Sequence, residues 1–253
     1  MRTKPAVLDL IVATGFVAAL MAGCAPPDSA PEPEVGSSFG TTPGSGGALL
    51  FQGARLILGD GNVIEDGALL VEGDRILSVG RTGEVSAPVG ATSIDLAGKT
   101  VIPALIDAHA HLGYERYTSW GSQNYSRENL IDHLDRYAYY GFGAVFSAGS
   151  DPDDLAIELQ QAQRDGDVDG ARFLFAAGMA PPGQGPNNQF LRHALAIADE
   201  TGMTVLRGAA TEAEGRAHVR EVAAKEIPFI KIWVDDRGGS QEKLEPAIYR
   251  DHR

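Results

Sequence analysis

Cysteine is almost missing from this sequence. Cys24 is the only one in 253 residues, so no disulfide can form within the chain and a stable fold must rest on packing, a metal or partners. Positive charge is also scarce. Lys and Arg number 21 against 34 Asp and Glu, a net charge of −13, which argues against nucleic acid as a partner. The chain also lacks an apolar run of the roughly 20 residues that a membrane-crossing helix needs. What remains is 43% hydrophobic and 22% charged, a globular composition rather than a disordered or collagen-like one.

The first residues read as an address. Arg2 and Lys4 precede an apolar run over 10–21 that is long enough for a signal-peptide core, so residues 1–23 are set apart from the fold. The run closes on Leu20-Met21-Ala22-Gly23-Cys24, which resembles a bacterial lipobox; that resemblance implies lipidation of Cys24 and a place in the cell envelope, anchored to the membrane. Cleavage without lipid and a buried core helix are the alternatives. Residues 24–48 follow as a linker. Of residues 25–48, 14 are Pro, Gly or Ser, too poor in large apolar groups to offset the entropy of ordering.

Residues 49–100 carry short apolar runs divided by turn signals such as Gly59-Asp60-Gly61-Asn62 and Gly73-Asp74, and predict a small antiparallel β-sandwich domain without catalytic groups. After residue 100 the rhythm changes to strand-like and helical stretches in alternation, the pattern of βα units on a parallel sheet. Strands are predicted at 101–109, 144–147, 172–176 and 229–234. Helix signals lie between them: Leu130, Ile131, Leu134 and Tyr137 at helical spacing, Asp151-Pro152 as cap and first turn, residues 190–198, and Thr211 with Glu214 as a capping box.

The chemistry concentrates in Pro103-Ala104-Leu105-Ile106-Asp107-Ala108-His109-Ala110-His111. Residues two apart in a strand share a face, so His109 and His111 present paired imidazoles, half of a metal site, and Asp107 shares their parity. A water-facing histidine pair at a strand end is the other reading. The second signal is Lys231 within Phe229-Ile230-Lys231-Ile232-Trp233-Val234, where an ammonium interrupts an apolar strand and burial without a partner is costly. Snorkelling, or pairing with Asp235 or Asp236, would explain the lysine without chemistry.

Taken together, a small β-domain, an apolar strand ending in Asp-x-His-x-His and the following βα units resemble the amidohydrolase superfamily, in its imidazolonepropionase-like and Xaa-Pro dipeptidase-like branch. Ala104 stands where that motif usually has Gly. The resemblance implies an α/β fold with a partial (β/α)8 TIM-type barrel of about four βα units over residues 101–253. It implies that His109 and His111 bind a metal, and that Lys231, on the fourth barrel strand, is carbamylated and bridges two divalent ions, zinc being expected. The implied activity is hydrolysis of amide, cyclic amide or dipeptide C–N bonds in a small-molecule or dipeptide substrate. A mononuclear deaminase-type member and an inactive envelope lipoprotein with a binding role are the alternatives.

A complete barrel takes about 250 residues, more than residues 101–253 provide. The general-base aspartate and further histidine ligands are therefore expected beyond residue 253, and a half barrel would leave a strand edge open to oligomer formation. His133, His193, His218 and His252 are not expected to be ligands. Trp120 and the 114–125 segment are expected either to line a pocket or to join the core, and the loop over 180–188 either contacts substrate at the rim or is surface.

Overall fold

The computed structural model describes residues 47–183, 188–236, 238–239 and 242–250. The signal, Cys24 and nearly all of the linker lie outside these, as does His252. Among the described residues no helix is long and apolar enough to cross a membrane.

The first unit is built on β1 (Leu49–Ile57), β2 (Val63–Glu72), β3 (Arg75–Arg81), β4 (Thr92–Asp95) and β5 (Thr100–Val101). The β1–β2 turn closes locally, with Asp60 Oδ1 accepting the Asn62 amide at 3.0 Å. The expectation of an antiparallel sandwich is corrected here. β1, β2 and β3 are antiparallel neighbours, but β4 and β5 both join β1 in parallel, so the described strands form one mixed five-stranded sheet rather than two facing layers. Its modest core is Ala48, Ala68, Leu70 and Val85. β3 keeps Ile76 and Leu77 exposed at 64% and 52%.

The second unit is mixed α/β with parallel strands. After β6 (Leu105–Ala110) comes a tiny hairpin, β7 (Glu115–Arg116) and β8 (Ser119–Trp120), then α1 (Arg127–Tyr139), β9 (Phe142–Ser147) and α2 (Asp153–Asp165). There follow β10 (Arg172–Phe175), β11 (Ala177–Ala180), α3 (Asn188–Thr201), β12 (Leu206–Gly208), α4 (Glu212–Ala224), β13 (Ile230–Ile232) and α5 (Pro246–Tyr249). β6, β9 and β10 are neighbours in that order, and β11 pairs with β12 and β13. Only Ala176 separates β10 from β11, and its amide donates to Ser147 O at 3.1 Å, so the two sheets form a continuous layer. Counted across that layer, β13 is the fourth strand from β6. The outer edges of β6 and β13 have no partner among the described residues, and Ile106 and Phe229 are 67% and 50% exposed.

Helices cover one side of the layer. Leu130 and Leu134 of α1, Ala156 and Leu159 of α2, and Val145, Phe173 and Phe175 from the strands are all at most 1% exposed and make one core. α1 begins at Ser126, whose hydroxyl accepts the Asn129 amide, and α4 begins with the expected capping box of Thr211 and Glu214. α2 departs from expectation: Pro152 is its N-cap, with no side-chain cap bond, while Asp151 is withdrawn into the interior.

One buried ion pair ties α2 to β12 and α4. Arg207, 3% exposed, bonds the fully buried Asp153 and reaches Glu221 at 2.7 Å, while Lys225 approaches Asp153 at 3.3 Å. Removing the cation from such a pair strands a buried charge. Arg207→Met should therefore lower unfolding stability by roughly 3 kcal/mol in urea titrations, far above the usual worth of a surface pair; a loss under about 1 kcal/mol would show that Lys225 alone compensates Asp153.

Candidate metal centre

The placement of the paired histidines follows from the register of β6. Ile106 lies opposite Ala144 and Asp107 opposite Val145, but the next matched pair is Ala110 with Ser147. Three steps along β6 thus answer two along β9, so β6 carries one extra residue, and an insertion in a chain of period two reverses which face each later side chain takes. This corrects the shared parity expected for Asp107. Its carboxylate turns to α1, where Oδ2 accepts the Tyr137 hydroxyl at 2.8 Å, and Oδ1 accepts the backbone N–H of His109 at 3.0 Å. The Tyr137 hydroxyl is pushed up to about 12, by burial first and then by that bond. Ala110 joins the core under the helices, and the His109 and His111 rings lie together, edge to face, with centroids 5.3 Å apart.

His111 is then held from β9. Its Nδ1 lies 3.1 Å from Ser150 Oγ, just beyond the end of that strand, and its ring faces Phe190 at 6.4 Å. Its pKa is lowered, first by partial loss of solvent and then by the nearby positive charges of His109 and Lys231. Lys231 is brought to the same region by the β9–α2 turn, where Gly149 packs on its stem and Ser150, the next residue, touches His111. It sits opposite Gly178 in the β11–β13 ladder, half-buried, on the face of β13 that also carries Phe229 and Trp233. Phe229 meets Phe146 at 5.4 Å, and Trp233 meets Phe190 at 6.1 Å.

The apolar neighbours that suggested a buried lysine, Ile230 and Ile232, point the other way and pack with Met179, Leu244 and Ile248. Room for the lysine comes from Gly149, at φ 79°, where an added Cβ would fall 2.6 Å from Lys231 Cβ. Asp236 pairs with Lys243 at 3.1 Å, so that carboxylate is not the lysine's counter-ion.

Two imidazoles and an amine converge here; among the described residues no group of three His, Cys, Asp or Glu side chains does. The donor set fits part of the shell of a borderline cation. The imidazole nitrogens suit zinc directly, while a lysine supplies an oxygen ligand only after carbamylation. The other described histidines are occupied elsewhere. His133 Nδ1 accepts the Gly113 amide at 3.2 Å and its Nε2 meets Glu115 O at 2.8 Å; His193 Nδ1 accepts the Ser122 amide at 2.9 Å; His218 Nε2 meets Gly208 O at 3.0 Å. Tyr114 is fully buried and stacks on Trp120, which stays 40% exposed. In the 180–188 loop, residues 184–187 lie outside the described residues.

Sequence reasoning missed Asp151, whose position before a helix suggested a cap. It is fully buried, and its Oδ1 accepts the Tyr125 hydroxyl at 2.6 Å while Oδ2 makes no hydrogen bond. Burial first, and then the charge of Asp153, push its carboxyl from 3.8 up to about 6 against the hydrogen bonds from Ser147 and Tyr125. A folded-state value above the unfolded one means that the native state binds this proton more tightly. The resulting stability is complete below 3.8 and is lost as pH rises through about 6. Asp151→Asn should remove that slope: the stability of wild type relative to variant should fall across this interval in urea titrations, and parallel curves would refute the assignment.

No family model matches the chain. Imidazolonepropionase of Mycolicibacterium smegmatis is 41% identical over 66 residues, which is 26% of this chain and 16% of that protein. Imidazolonepropionase of Alkaliphilus oremlandii is 47% identical over 57 residues, 21% of this chain and 13% of that one. In structure, a prolidase complexed with N-methylphosphonate-L-proline matches at TM-score 0.56 and 25% identity over 74% of this chain and 47% of its own. Molinate hydrolase matches at TM-score 0.60 and 24% identity, over 75% and 45%. The chain thus spans under half the length of these solved neighbours. Sequence likeness to imidazolonepropionases thus covers about a quarter of the chain, and likeness of fold to solved hydrolase structures covers about three quarters of it.

Proposed function

We propose that this chain carries part of the centre of a metal-dependent hydrolase that cleaves amide, cyclic amide or dipeptide C–N bonds. The observation that carries the reading is that the paired His109 and His111 rings and the stem of Lys231, from two strands that share no hydrogen bond, are held by adjacent residues of one turn, Ser150 touching His111 and Gly149 touching Lys231. Its support is that hydrolases of this superfamily are what the chain resembles in sequence and in fold. When bound, a pair of divalent cations, zinc being the expected metal, supplies the Lewis acidity that polarises a carbonyl and makes hydroxide available at neutral pH.

The chain's own residues then have distinct tasks. His109 and His111 would hold one cation through imidazole nitrogens, with Ser150 in contact with the second ring. Lys231 would serve after carbamylation by carbon dioxide, in which its nitrogen bonds the carbon and loses a proton, so that the stem ends in a carboxylate able to hold the cations. Phe190, Trp233, Phe146 and Phe229 form an aromatic border to this face, on which His109, His111 and Phe229 remain exposed. The general base and the other ligands belong to residues outside those described.

The test is a zinc titration of the chain with elemental analysis. His109→Ala and His111→Ala should each weaken binding by more than about 100-fold, above the range typical of residues that merely support a ligand. Lys231→Ala should reduce two metals per chain to one and abolish the carbamate signal in 13C NMR under labelled carbon dioxide. Two metals surviving in Lys231→Ala would overturn the bridge, and full zinc binding in the double histidine variant would overturn the centre. A panel of N-acyl amides, cyclic amides and Xaa-Pro dipeptides assigns the substrate class.

The envelope location is part of the same proposal, supported by the Leu20-Met21-Ala22-Gly23-Cys24 pattern. Expressed in a bacterium with lipoprotein processing, the chain should incorporate labelled palmitate and pellet with membranes, whereas Cys24→Ser should do neither. Equal labelling of both would refute the anchor.

A further inference from the structure

His111 stands just past the end of its own ladder. The last matched pair between β6 and β9 is Ala110 with Ser147, and the Ala148 amide donates to Ala110 O at 2.9 Å. Beyond Ala110 the ladder stops, so the place of His111 depends on what holds the chain that follows it.

That chain is held by α1. Asn129 and His133 lie four residues apart, hence on one face of the helix, and both reach the backbone of Gly113 and Glu115. The Asn129 side-chain nitrogen donates to Gly113 O and to Glu115 O, each at 3.0 Å. His133 Nδ1 accepts the Gly113 N–H at 3.2 Å, and its Nε2 lies 2.8 Å from Glu115 O. Four hydrogen bonds thus fall on two residues, the nearer of them two past His111. Gly113 turns the chain at φ 82°, and an added Cβ would stand 2.6 Å from the Tyr125 ring, so the segment has no slack on its other side.

The four bonds also fix the state of each side chain. A backbone N–H only donates and a carbonyl only accepts, so His133 must offer a bare Nδ1 to Gly113 and a proton on Nε2 to Glu115. A doubly protonated ring would set N–H against N–H at Gly113. Asn129, 3% exposed, commits both amide protons to the two carbonyls, which a single hydroxyl or a carboxylate could not do.

We propose that Asn129 and His133 are positioning residues for His111: one turn of α1 grips the backbone beyond the paired histidines and so fixes where the His111 ring can stand, with His133 acting as a neutral ring protonated at Nε2. The inference deepens the metal-hydrolase reading and rests on it for its purpose, but the grip itself belongs to the metal-free chain.

The test therefore starts without metal. Long-range 1H–15N correlation on the histidine-labelled full chain at mildly alkaline pH, with His133 assigned by loss of its signals in His133→Gln, reads which nitrogen carries the proton. The expected result is protonated Nε2 and bare Nδ1. A proton on Nδ1 in the wild type overturns the grip at once, even if every variant fails to fold. The second reading is the nuclear Overhauser contact between the rings of His111 and Phe190, whose centroids are 6.4 Å apart. His133→Phe and Asn129→Ala should each lose it, while His133→Gln, which carries an acceptor beside a donor and no charge, should keep it. An undiminished contact in a folded His133→Phe would overturn the positioning role.

Zinc titration then separates the two proposals. A grip that positions a ligand predicts about 10- to 100-fold weaker binding in His133→Phe and recovery in His133→Gln. Unaltered zinc affinity in a folded His133→Phe would overturn the role in the metal centre. The expected tautomer and ring contacts with no zinc binding in the wild type would uphold the grip on His111 and overturn the metal centre.

Discussion

One extra residue in β6 determines where this site can be. Side chains on a strand alternate, so without the insertion between Asp107 and Ala110, the histidines would follow Asp107 to the helical side and be packed against α1. With it they take the face opposite the buried Ala110, where both stay exposed at the mouth of a cavity shared with Asp107, Arg136 and Tyr137, and where His111 meets Phe190. A bulge breaks the ladder and leaves backbone groups unpaired, which is costly unless something else satisfies them. Asp107 does this by accepting the His109 amide, and is held by Tyr137 from behind. The aspartate of Asp-x-His-x-His thus acts on the geometry of the strand in this chain, and only through it on the imidazoles.

The second constraint is the cost of burying polar groups in the β9–α2 turn. Ser147, Ser150, Asp151 and Asp153 lie within seven residues and none is exposed. Each unpaired group of this kind costs about 1–3 kcal/mol, and more if charged. The structure supplies Arg207, Lys225, Tyr125 and Tyr114 as partners, and only one carboxylate oxygen and the Arg207 Nε stay unmatched. Such a turn is rigid because moving it would break several of these bonds together. A polar turn at the C-terminal end of a parallel strand is a common place for ligands in open α/β sheets.

Helical spacing, the capping box at Thr211 and Glu214 and the main strand positions were legible in the sequence because each depends on local periodicity or local hydrogen bonds. So was the paired-histidine motif. Register was not. The bulge is a relation between β6 and β9, and nothing within residues 105–111 distinguishes a bulged strand from a regular one. The parallel entry of β4 and β5 beside β1 is likewise a tertiary choice, invisible to alternation alone. Asp151 misled for a different reason: before Pro152 and two acids it has the composition of a helix start, and only the Tyr125 hydroxyl, 26 residues earlier, reveals why it is inside. β12 is too short, at three residues, to carry a pattern.

The same reasoning explains how two distant strands keep register at the site. β6 and β13 share no ladder, so no backbone hydrogen bond fixes the distance between His111 and Lys231. The β9–α2 turn does so instead. Ser150 holds the imidazole from one side, while Gly149, one residue earlier, is pressed against the stem of Lys231 and carries its carbonyl to within 2.7 Å of where a Cβ on Gly178 would stand. Neither glycine can gain a side chain without pushing Lys231 or the turn aside. The separation of imidazole and amine is therefore set by backbone contact through a third element, which is stiffer than any pairing of two long side chains would be.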